Sequence, residues 1–199
     1  EIRTPMNAIL GMCELSLQED LAENVREQCE NVQTSGKNLL GIINDLLDFS
    51  KIESGKMELI CEEYSLSKLL NEVIIMTTAR KGDKAIEFLV NVDPNIPDLL
   101  YGDKVRIRQI LINLLTNAVK YTNQGGVLFS VSAREESYGI NLIVSVSDSG
   151  IGIEEQDMGN IFTSFNQVDT KKNRAVEGTG LGLPITKNLV NMMNGVIMV

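Results

Sequence analysis

The clearest structural signal in the chain is the stretch Asn113-Leu-Leu-Thr-Asn117-Ala-Val-Lys120-Tyr121. Its polar residues Asn113, Asn117 and Lys120 follow at i, i+4 and i+7, so on a helix they share one face. A solvated face is the ordinary explanation, but Asn lowers helix propensity where Glu or Lys would raise it. The other faces are apolar and carry Ile107, Ile110, Leu111, Leu114, Leu115 and Val119. The pattern predicts a helix over about 103–121 with a candidate ligand surface.

A strand-end carboxylate with two glycines follows this helix in the chain. It reads Asp148-Ser-Gly150-Ile-Gly152-Ile153 and comes directly after a predicted strand. The glycines let a planar ligand approach the backbone, while the carboxylate can accept a hydrogen bond from an exocyclic amine. An ordinary Asp-Ser-Gly turn explains the same residues, so by itself the motif is weak evidence.

A second glycine-rich motif opens the last predicted helix, and it reads Gly178-Thr-Gly180-Leu-Gly182-Leu-Pro. Glycines before a helix start let backbone N–H groups and the positive end of the helix dipole face an anion such as phosphate. It is not a Walker A loop, since no GK[ST] follows, and no Rossmann strand precedes it. The polar residues 170–177 before it have the character of a mobile lid.

The first 55 residues predict an antiparallel helical hairpin. Apolar residues stand at 2, 6, 9, 13 and 17, a polar break covers 18–24, and the pattern resumes from Val25 to Leu46. Gly55 supplies a helix stop. Because the apolar stripe is wider than one partner helix can cover, we expect a dimeric four-helix bundle. Packing against the rest of the same chain is the alternative.

Residues 56–199 predict a mixed domain of strands and helices. Strands are expected near 57–62, 86–92, 126–134 and 141–148, with one helix beginning after Ser65 as its N-cap and another over 103–121. Long helices between strands without regular βαβ repeats indicate an α+β fold, an α/β sandwich with helices on one face of a mixed sheet.

Composition excludes several classes of function. With 18 Lys+Arg against 27 Asp+Glu, the net charge of −9 argues against a nucleic-acid surface. No apolar run approaches the roughly 20 residues of a membrane span, so the chain is expected to be soluble. Three cysteines without a CxxC pair indicate a reducing compartment. The chain has no histidine, which excludes a Ser-His-Asp triad within it.

Taken together and in order, these motifs resemble the sequence boxes of the sensor histidine kinases. The helix 113–121 is similar to the N box, Asp148–Gly152 to the G1 box and 178–183 to the G2 box, with an F-box-like Ile161-Phe162-x-x-Phe165 between them. The opening Glu1-Ile-Arg-Thr-Pro-Met resembles the end of the H box. The resemblance covers essentially the whole chain. Gln167 and the Asp-Ser-Gly form are similar to hybrid kinases that also carry a receiver domain.

The resemblance implies a dimerisation and phosphotransfer hairpin over 1–55 and a Bergerat-type ATP-binding domain over 56–199. Asp148 would bind the adenine amine and Asn113 would hold Mg²⁺. Glu1 would help take the proton of the phosphoacceptor, and Thr4 would position water in a reverse phosphatase reaction. The other implied ATP contacts are Asn117, Lys120, Tyr121, Gly150, Gly152, Ile153, Phe162, Gly178, Thr179, Gly180, Leu181 and Gly182.

The implied activity is transfer of the γ-phosphoryl group of ATP to a histidine immediately before Glu1, and then to an aspartate of a response regulator receiver domain. The implied partners are a second copy of the chain and that response regulator, with no nucleic acid. The family also continues past Val199 with a further strand, so we expect both ends to be boundaries within a longer protein. The chain would be the cytoplasmic portion of a membrane-bound sensor, in contact with the membrane only through upstream segments.

Two other functions fit some of the same residues. The gyrase, mismatch-repair and chaperone ATPases share the ATP-binding fold, but they activate water with a Glu where this chain has Asn113, which favours transfer to a protein nucleophile. The other alternative is a module that dimerises and binds nucleotide without transferring a phosphoryl group.

Overall fold

The chain folds into two compact units, Glu1–Met57 and Glu58–Val199. The computed structural model describes residues 2–137, 139–164 and 179–199. The predicted lid over 170–177 and the residues Glu1, Phe165, Gln167, Asp169 and Gly178 lie outside the described residues. Within the described ranges, no helix is both long enough and apolar enough to cross a membrane.

The first unit is the predicted helical hairpin, formed by α1 (Arg3–Leu17) and α2 (Glu23–Glu53). The helices approach closely at Gly36, where an added Cβ would lie 2.8 Å from the Leu10 side chain. Arg26 stabilises the connection between the two helices by donating hydrogen bonds to the Leu17 and Glu19 carbonyls, both at 3.3 Å. After α2, Gly55 adopts a φ of +65°, the left-handed conformation that lets a glycine end a helix.

The described residues of the second unit form two sheets. The three-stranded sheet is mixed, in the order β2-β4-β5, with β2 parallel and β5 antiparallel to the central strand. The two-stranded sheet pairs β1 with β3 in antiparallel fashion. The elements are β1 (Glu62–Ser65), α3 (Leu66–Lys81), β2 (Ile86–Val92), β3 (Leu99–Gly102), α4 (Lys104–Tyr121), β4 (Gly125–Glu136), β5 (Gly139–Asp148), α5 (Glu155–Met158) and α6 (Gly182–Met192).

The core lies between one face of the mixed sheet and the helices α3 and α4. Alternate residues of β4 are buried there, namely Val127, Phe129 and Val131, whereas Leu128 between them is 41% exposed. The helices contribute Leu66, Leu69, Leu70, Val73, Leu111, Leu115, Ala118 and Val119 to the same cluster. The predicted arrangement of helices on one face of a mixed sheet is confirmed.

Local capping signals set the starts of the helices. Ser65 Oγ accepts a hydrogen bond from the Lys68 N–H at 3.3 Å, as the sequence predicts for an N-cap. Asp103 Oδ1 accepts from the Val105 and Arg106 N–H groups, both at 3.1 Å, and so starts α4. Its other oxygen accepts from the Ile60 N–H at 2.9 Å, which ties the segment before β1 to the start of α4.

One predicted strand is misplaced and two short elements are missed. The strand expected near 57–62 begins only at Glu62, because it forms where it can pair with Leu99–Gly102. That partner strand has four residues, too short for a periodic signal of its own. The same holds for the four-residue helix Glu155–Met158.

Candidate functional site

The polar face of α4 meets the start of α6. Asn113 Nδ2 donates to the Gly182 carbonyl at 3.3 Å and to Thr186 Oγ1 at 3.4 Å. Thr186 is fully buried and was not among the predicted site residues. The sequence signal for this contact is a hydroxyl one helical turn after Gly182, on a helix whose Ile185 and Leu189 are buried. Asn113, Asn117 and Lys120 are all half-buried, so the predicted stripe is not a freely solvated face.

The carboxyl end of α4 meets the turn that follows β5. At Gly150 an added Cβ would lie 2.5 Å from the Tyr121 carbonyl oxygen and 2.7 Å from Asp148 Oδ1, so only glycine fits. The Gly150 N–H donates to that same Asp148 oxygen at 2.9 Å. Tyr121 and Gly150, which are 29 positions apart in the chain and belong to two predicted site segments, are thereby brought together through backbone atoms.

Ser149 fixes the end of β5 to the start of β4. Its hydroxyl oxygen accepts from the Gly126 N–H at 2.9 Å and can donate to the Gln124 carbonyl at 3.2 Å. Gly125, opposite this hydroxyl, has a φ of +92° and no room for a side chain. Ser149 lies inside the quoted motif but was not among the predicted site residues. These hydrogen bonds of Ser149 fix the position of the neighbouring Asp148.

Asp148 is exposed at the end of β5 and presents a hydrogen-bond acceptor. One of its carboxylate oxygens is held by the Gly150 N–H. No residue in the described part of the chain donates to the other oxygen. Gly152 has a φ of +70° and open space around it, and Ile153 after it is 40% exposed. A carboxylate oxygen, open backbone and an apolar side chain suit a planar group with an exocyclic amine.

The glycine-rich motif forms the start of α6. Gly180 has a φ of +67°, and Thr179 Oγ1 accepts from the Leu181 N–H at 3.2 Å. Leu181 is buried and precedes the first helical residue, Gly182. Among the described residues, no side chain caps this helix start. Its first N–H groups and the positive end of the helix dipole are therefore available to an anion.

Two lysines lie over aromatic rings near these segments. Lys120 Nζ is 5.0 Å from the centroid of the Tyr121 ring, and Lys187 Nζ is 5.1 Å from that of Phe162. Both distances are within the range of cation–π contacts. Lys187, on α6, was not among the predicted site residues. The two contacts place one positive charge at the end of α4 and another on α6.

The remaining predicted site residues belong to the hairpin unit or lie outside the described residues. Thr4 lies on α1, in the other unit, while Glu1 and Gly178 are outside the described residues. Nowhere in the described ranges do three or more His, Cys, Asp or Glu side chains gather as a metal site would require. A divalent cation here would depend on isolated amide oxygens, on water and on the oxygens of a bound ligand.

Two family models match the chain. Residues 1–55 match the His Kinase A (phospho-acceptor) domain. Residues 102–199 match the histidine kinase-, DNA gyrase B- and HSP90-like ATPase domain. The first match covers the hairpin, and the second covers α4, the turn after β5 and the start of α6.

Curated relatives match along nearly the whole chain. The signal transduction histidine-protein kinase BarA of Escherichia coli K12 is 40% identical over 196 residues, which is 98% of this chain and 21% of that protein. The hybrid signal transduction histidine kinase B of Dictyostelium discoideum is 39% identical over 196 residues, 98% of this chain and 10% of that protein. The chain thus spans about a fifth of the length of the first relative and about a tenth of the length of the second.

Solved structures match both parts of the chain. The full-length structure of ShkA in complex with AMPPNP has a TM-score of 0.75 and 33% identity, and covers 97% of this chain and 39% of that one. The histidine kinase AdeS of Acinetobacter baumannii has a TM-score of 0.61 and 22% identity over 96% of this chain and 85% of that one, which supports the fold.

Proposed function

Because the chain belongs to the sensor histidine kinases, we propose that it binds Mg-ATP and transfers the γ-phosphoryl group to a histidine, which passes it to a response regulator. The observation that carries this proposal is the junction of α4 with the turn after β5 and the start of α6. Asn113 contacts Gly182, and the Tyr121 carbonyl lies against Gly150. A strand-end carboxylate, an uncapped helix start and two lysines thus lie on neighbouring elements, which supports the binding of a nucleotide.

The adenine would lie at the turn after β5. The Asp148 oxygen that no described residue uses would accept from the exocyclic amine, and Gly150 and Gly152 would leave the backbone open to the ring. Ile153 and Phe162 would provide apolar contact. Support for the ligand also comes from ShkA, whose structure contains the ATP analogue AMPPNP.

The phosphates would lie between the end of α4 and the start of α6. Gly180 and Gly182 would present their N–H groups at the helix start, while Thr179 holds the Leu181 N–H through its hydroxyl oxygen and so shapes the loop. Gly178, outside the described residues, belongs to the same sequence motif. Asn117, Lys120 and Tyr121 would bound the opposite side. A positive helix end and a lysine both favour the charge of a triphosphate.

Mg²⁺ fits this site as an ion held mainly by the nucleotide. It prefers oxygen ligands and keeps several of its waters, so one protein oxygen is enough. Asn113 is our first candidate, since its Nδ2 donates to Gly182 and Thr186 and so leaves its Oδ1 for a cation. Asn117, one turn further along α4, is half-buried and is the other candidate. The ion would shield the charge of the γ-phosphate during transfer.

The hairpin would form the dimer and present the phosphoacceptor. Large apolar side chains remain exposed along both of its helices, which a second copy would cover in a four-helix bundle. They include Ile9, Met12, Leu15, Val32, Leu39, Ile42 and Leu46. The acceptor histidine would precede Glu1, which would help remove its proton, and Thr4 would position water for the phosphatase reaction.

Nucleotide binding is tested by calorimetry with Asp148→Ala. Loss of the charge-assisted hydrogen bond to the adenine amine should cost about 2–3 kcal/mol, or roughly 30- to 150-fold in affinity. Asp157→Ala, a change of the same type in α5, should bind as the unaltered chain does. Equal affinity for ATP and GTP, or an unaffected Asp148→Ala, would remove the adenine assignment.

The metal assignment is tested with Asn113→Ala and Asn117→Ala. For each variant, the affinity for ATP is measured with Mg²⁺ and again with a chelator. The variant that lacks the ligand should lose most of the gain that Mg²⁺ brings, while its affinity in chelator stays near that of the unaltered chain. A Mg²⁺ effect that survives both changes would mean that neither asparagine holds the ion.

Phosphotransfer is tested in a protein extended by a histidine before Glu1 and the helical turn that leads to it. With γ-labelled ATP it should gain an acid-labile phosphoryl group, which Glu1→Ala should slow by roughly 10²-fold as help with proton transfer is lost. The chain of 199 residues, which has no histidine, should gain none. An extended protein that binds ATP but never labels would favour the non-transferring module.

A further inference from the structure

The last carbonyl groups of α4 are satisfied in an unusual way. A helix leaves four carbonyls at its carboxyl end without helical partners, and water or a capping group usually takes them. Here Ala118 O accepts from the Thr122 N–H at 3.1 Å and from Thr122 Oγ1 at 2.7 Å. Thr122 is fully buried, so this bond pair is protected from water. The carbonyls of Val119, Lys120 and Thr122 accept hydrogen bonds from a side chain distant in the sequence.

That side chain is Lys84, in the connection between α3 and β2. Its Nζ donates to Val119 O at 2.8 Å, to Lys120 O at 3.2 Å and to Thr122 O at 3.3 Å. An ammonium has three donors and no acceptor, so these three carbonyls use its full capacity. A positive charge is also favourable at the negative end of the helix dipole. Lys84 is half-buried, which keeps its bonds partly shielded from water.

The one carbonyl that Lys84 does not reach is the one that touches the site. Tyr121 O lies where an added Cβ on Gly150 would come within 2.5 Å of it. Lys84 holds the carbonyls on both sides of this oxygen, those of Lys120 and Thr122. A shift of the last turn of α4 would therefore move Tyr121 O against or away from the turn that carries Asp148.

We propose that Lys84 is a positioning residue of the nucleotide site, which holds the carboxyl end of α4 in register with the Asp148–Gly150 turn. It needs no contact with the nucleotide to do so. Its effect passes through backbone carbonyls to Lys120 and Tyr121 on one side and to Gly150 on the other. The proposal rests on the proposed function, since it assigns a supporting residue to the same site.

The experiment compares Lys84→Met, which keeps most of the length and loses the donors, with Lys84→Arg, which keeps charge and donors. Lys81→Met, in the last turn of α3, controls for loss of a lysine from the same region. Val73→Ala, in the core on α3, controls for a general loss of stability. Affinity for ATP is measured by calorimetry at a temperature at which circular dichroism shows every variant folded.

Lys84→Met should bind ATP about tenfold more weakly, since a shift of the turn weakens a charge-assisted hydrogen bond to the base. Lys84→Arg, Lys81→Met and Val73→Ala should stay within about twofold. If Val73→Ala loses as much affinity as Lys84→Met, or if Lys84→Met binds normally, Lys84 does not position the site.

Amide hydrogen exchange separates this result from a failure of the proposed function. Without nucleotide, the Thr122 N–H, which bonds Ala118 O, should exchange faster in Lys84→Met than in Lys84→Arg. An unaltered chain that binds no ATP would overturn the nucleotide site itself. Unchanged exchange at Thr122 would overturn the hold of Lys84 on α4, whether or not ATP binds.

Discussion

Substitution of Gly150 by alanine should disturb the candidate site through one short contact. The new Cβ would lie 2.5 Å from Tyr121 O and 2.7 Å from Asp148 Oδ1. Carbon and carbonyl oxygen rarely approach closer than about 3.3 Å, so the end of α4 and the turn must separate by about 0.8 Å. Both neighbours are constrained, one by the helix and the other by its bond to the Gly150 N–H. The collision therefore cannot be relieved by rotation of a flexible side chain.

The expected cost of this separation is about 1–3 kcal/mol in the free energy of unfolding, the usual range for added volume in a well-packed place. Equilibrium urea unfolding measures it. Because the turn also carries Asp148, the affinity for ATP should fall by about tenfold to a hundredfold in calorimetry, as a charge-assisted hydrogen bond is weakened.

Gly159→Ala is the matched control. Gly159 has an ordinary helical φ of −67° and nothing within 4 Å of an added Cβ. Its replacement should leave binding unchanged and raise stability slightly, by about 0.4–1 kcal/mol, through the unfolded chain. A Gly150→Ala variant that unfolds and binds ATP like the control would refute the argument that this contact sets the geometry of the site.

Two further predictions concern the hairpin. Burial raises the pKa of Asp45 above its ordinary value of 3.8, and the Asp48 carboxylate raises it further, so the folded hairpin binds this proton more tightly than the unfolded chain. The free energy of unfolding should therefore rise as pH falls through the raised pKa. Asp45→Asn should remove that rise and stabilise the hairpin at neutral pH, which urea titrations at several pH values measure. Gly41→Ala, with open space around it, should stabilise α2 by about 1 kcal/mol, whereas Gly36→Ala should lose that gain because its Cβ would lie 2.8 Å from the Leu10 side chain. Thermal unfolding of the two variants side by side tests the difference, and equal melting temperatures would contradict it.

The long helices and the mixed sheet were predictable because their signals are local. The apolar spacing of the hairpin, the N-cap at Ser65 and the alternation of 86–92 each operate within a few residues of the chain. The structure places α3 directly after Ser65 and β2 at Ile86–Val92, as predicted. Gly55 marks the end of α2 for the same reason, since its left-handed conformation is a property of one residue.

The elements that were missed depend on partners distant in the chain. The pairing of β1 with β3 joins residues 34 to 40 positions apart, and neither strand is long enough to show a pattern alone. Lys84 looks like any lysine in a loop, because its role exists only when the end of α4 is beside it. The hydrogen bonds of Ser149 and Thr186 likewise could not be predicted, although both residues lie in or beside quoted motifs.

The order of the motifs along the chain predicted which segments form the candidate site, whereas the distances between those segments could not be predicted from the motifs. Each motif supplies a local feature, a polar helix face, a strand-end carboxylate or an uncapped helix start. The distances between these features are set by three contacts that no motif encodes by itself, which are Asn113 with Gly182, Tyr121 with Gly150, and Ser149 with Gly126. Each joins a side chain or carbonyl to the backbone of a glycine, and at Gly150 the close approach depends on the absence of a side chain. Gly150→Ala and Ser149→Ala should therefore change the affinity for nucleotide without removing a side chain that contacts it.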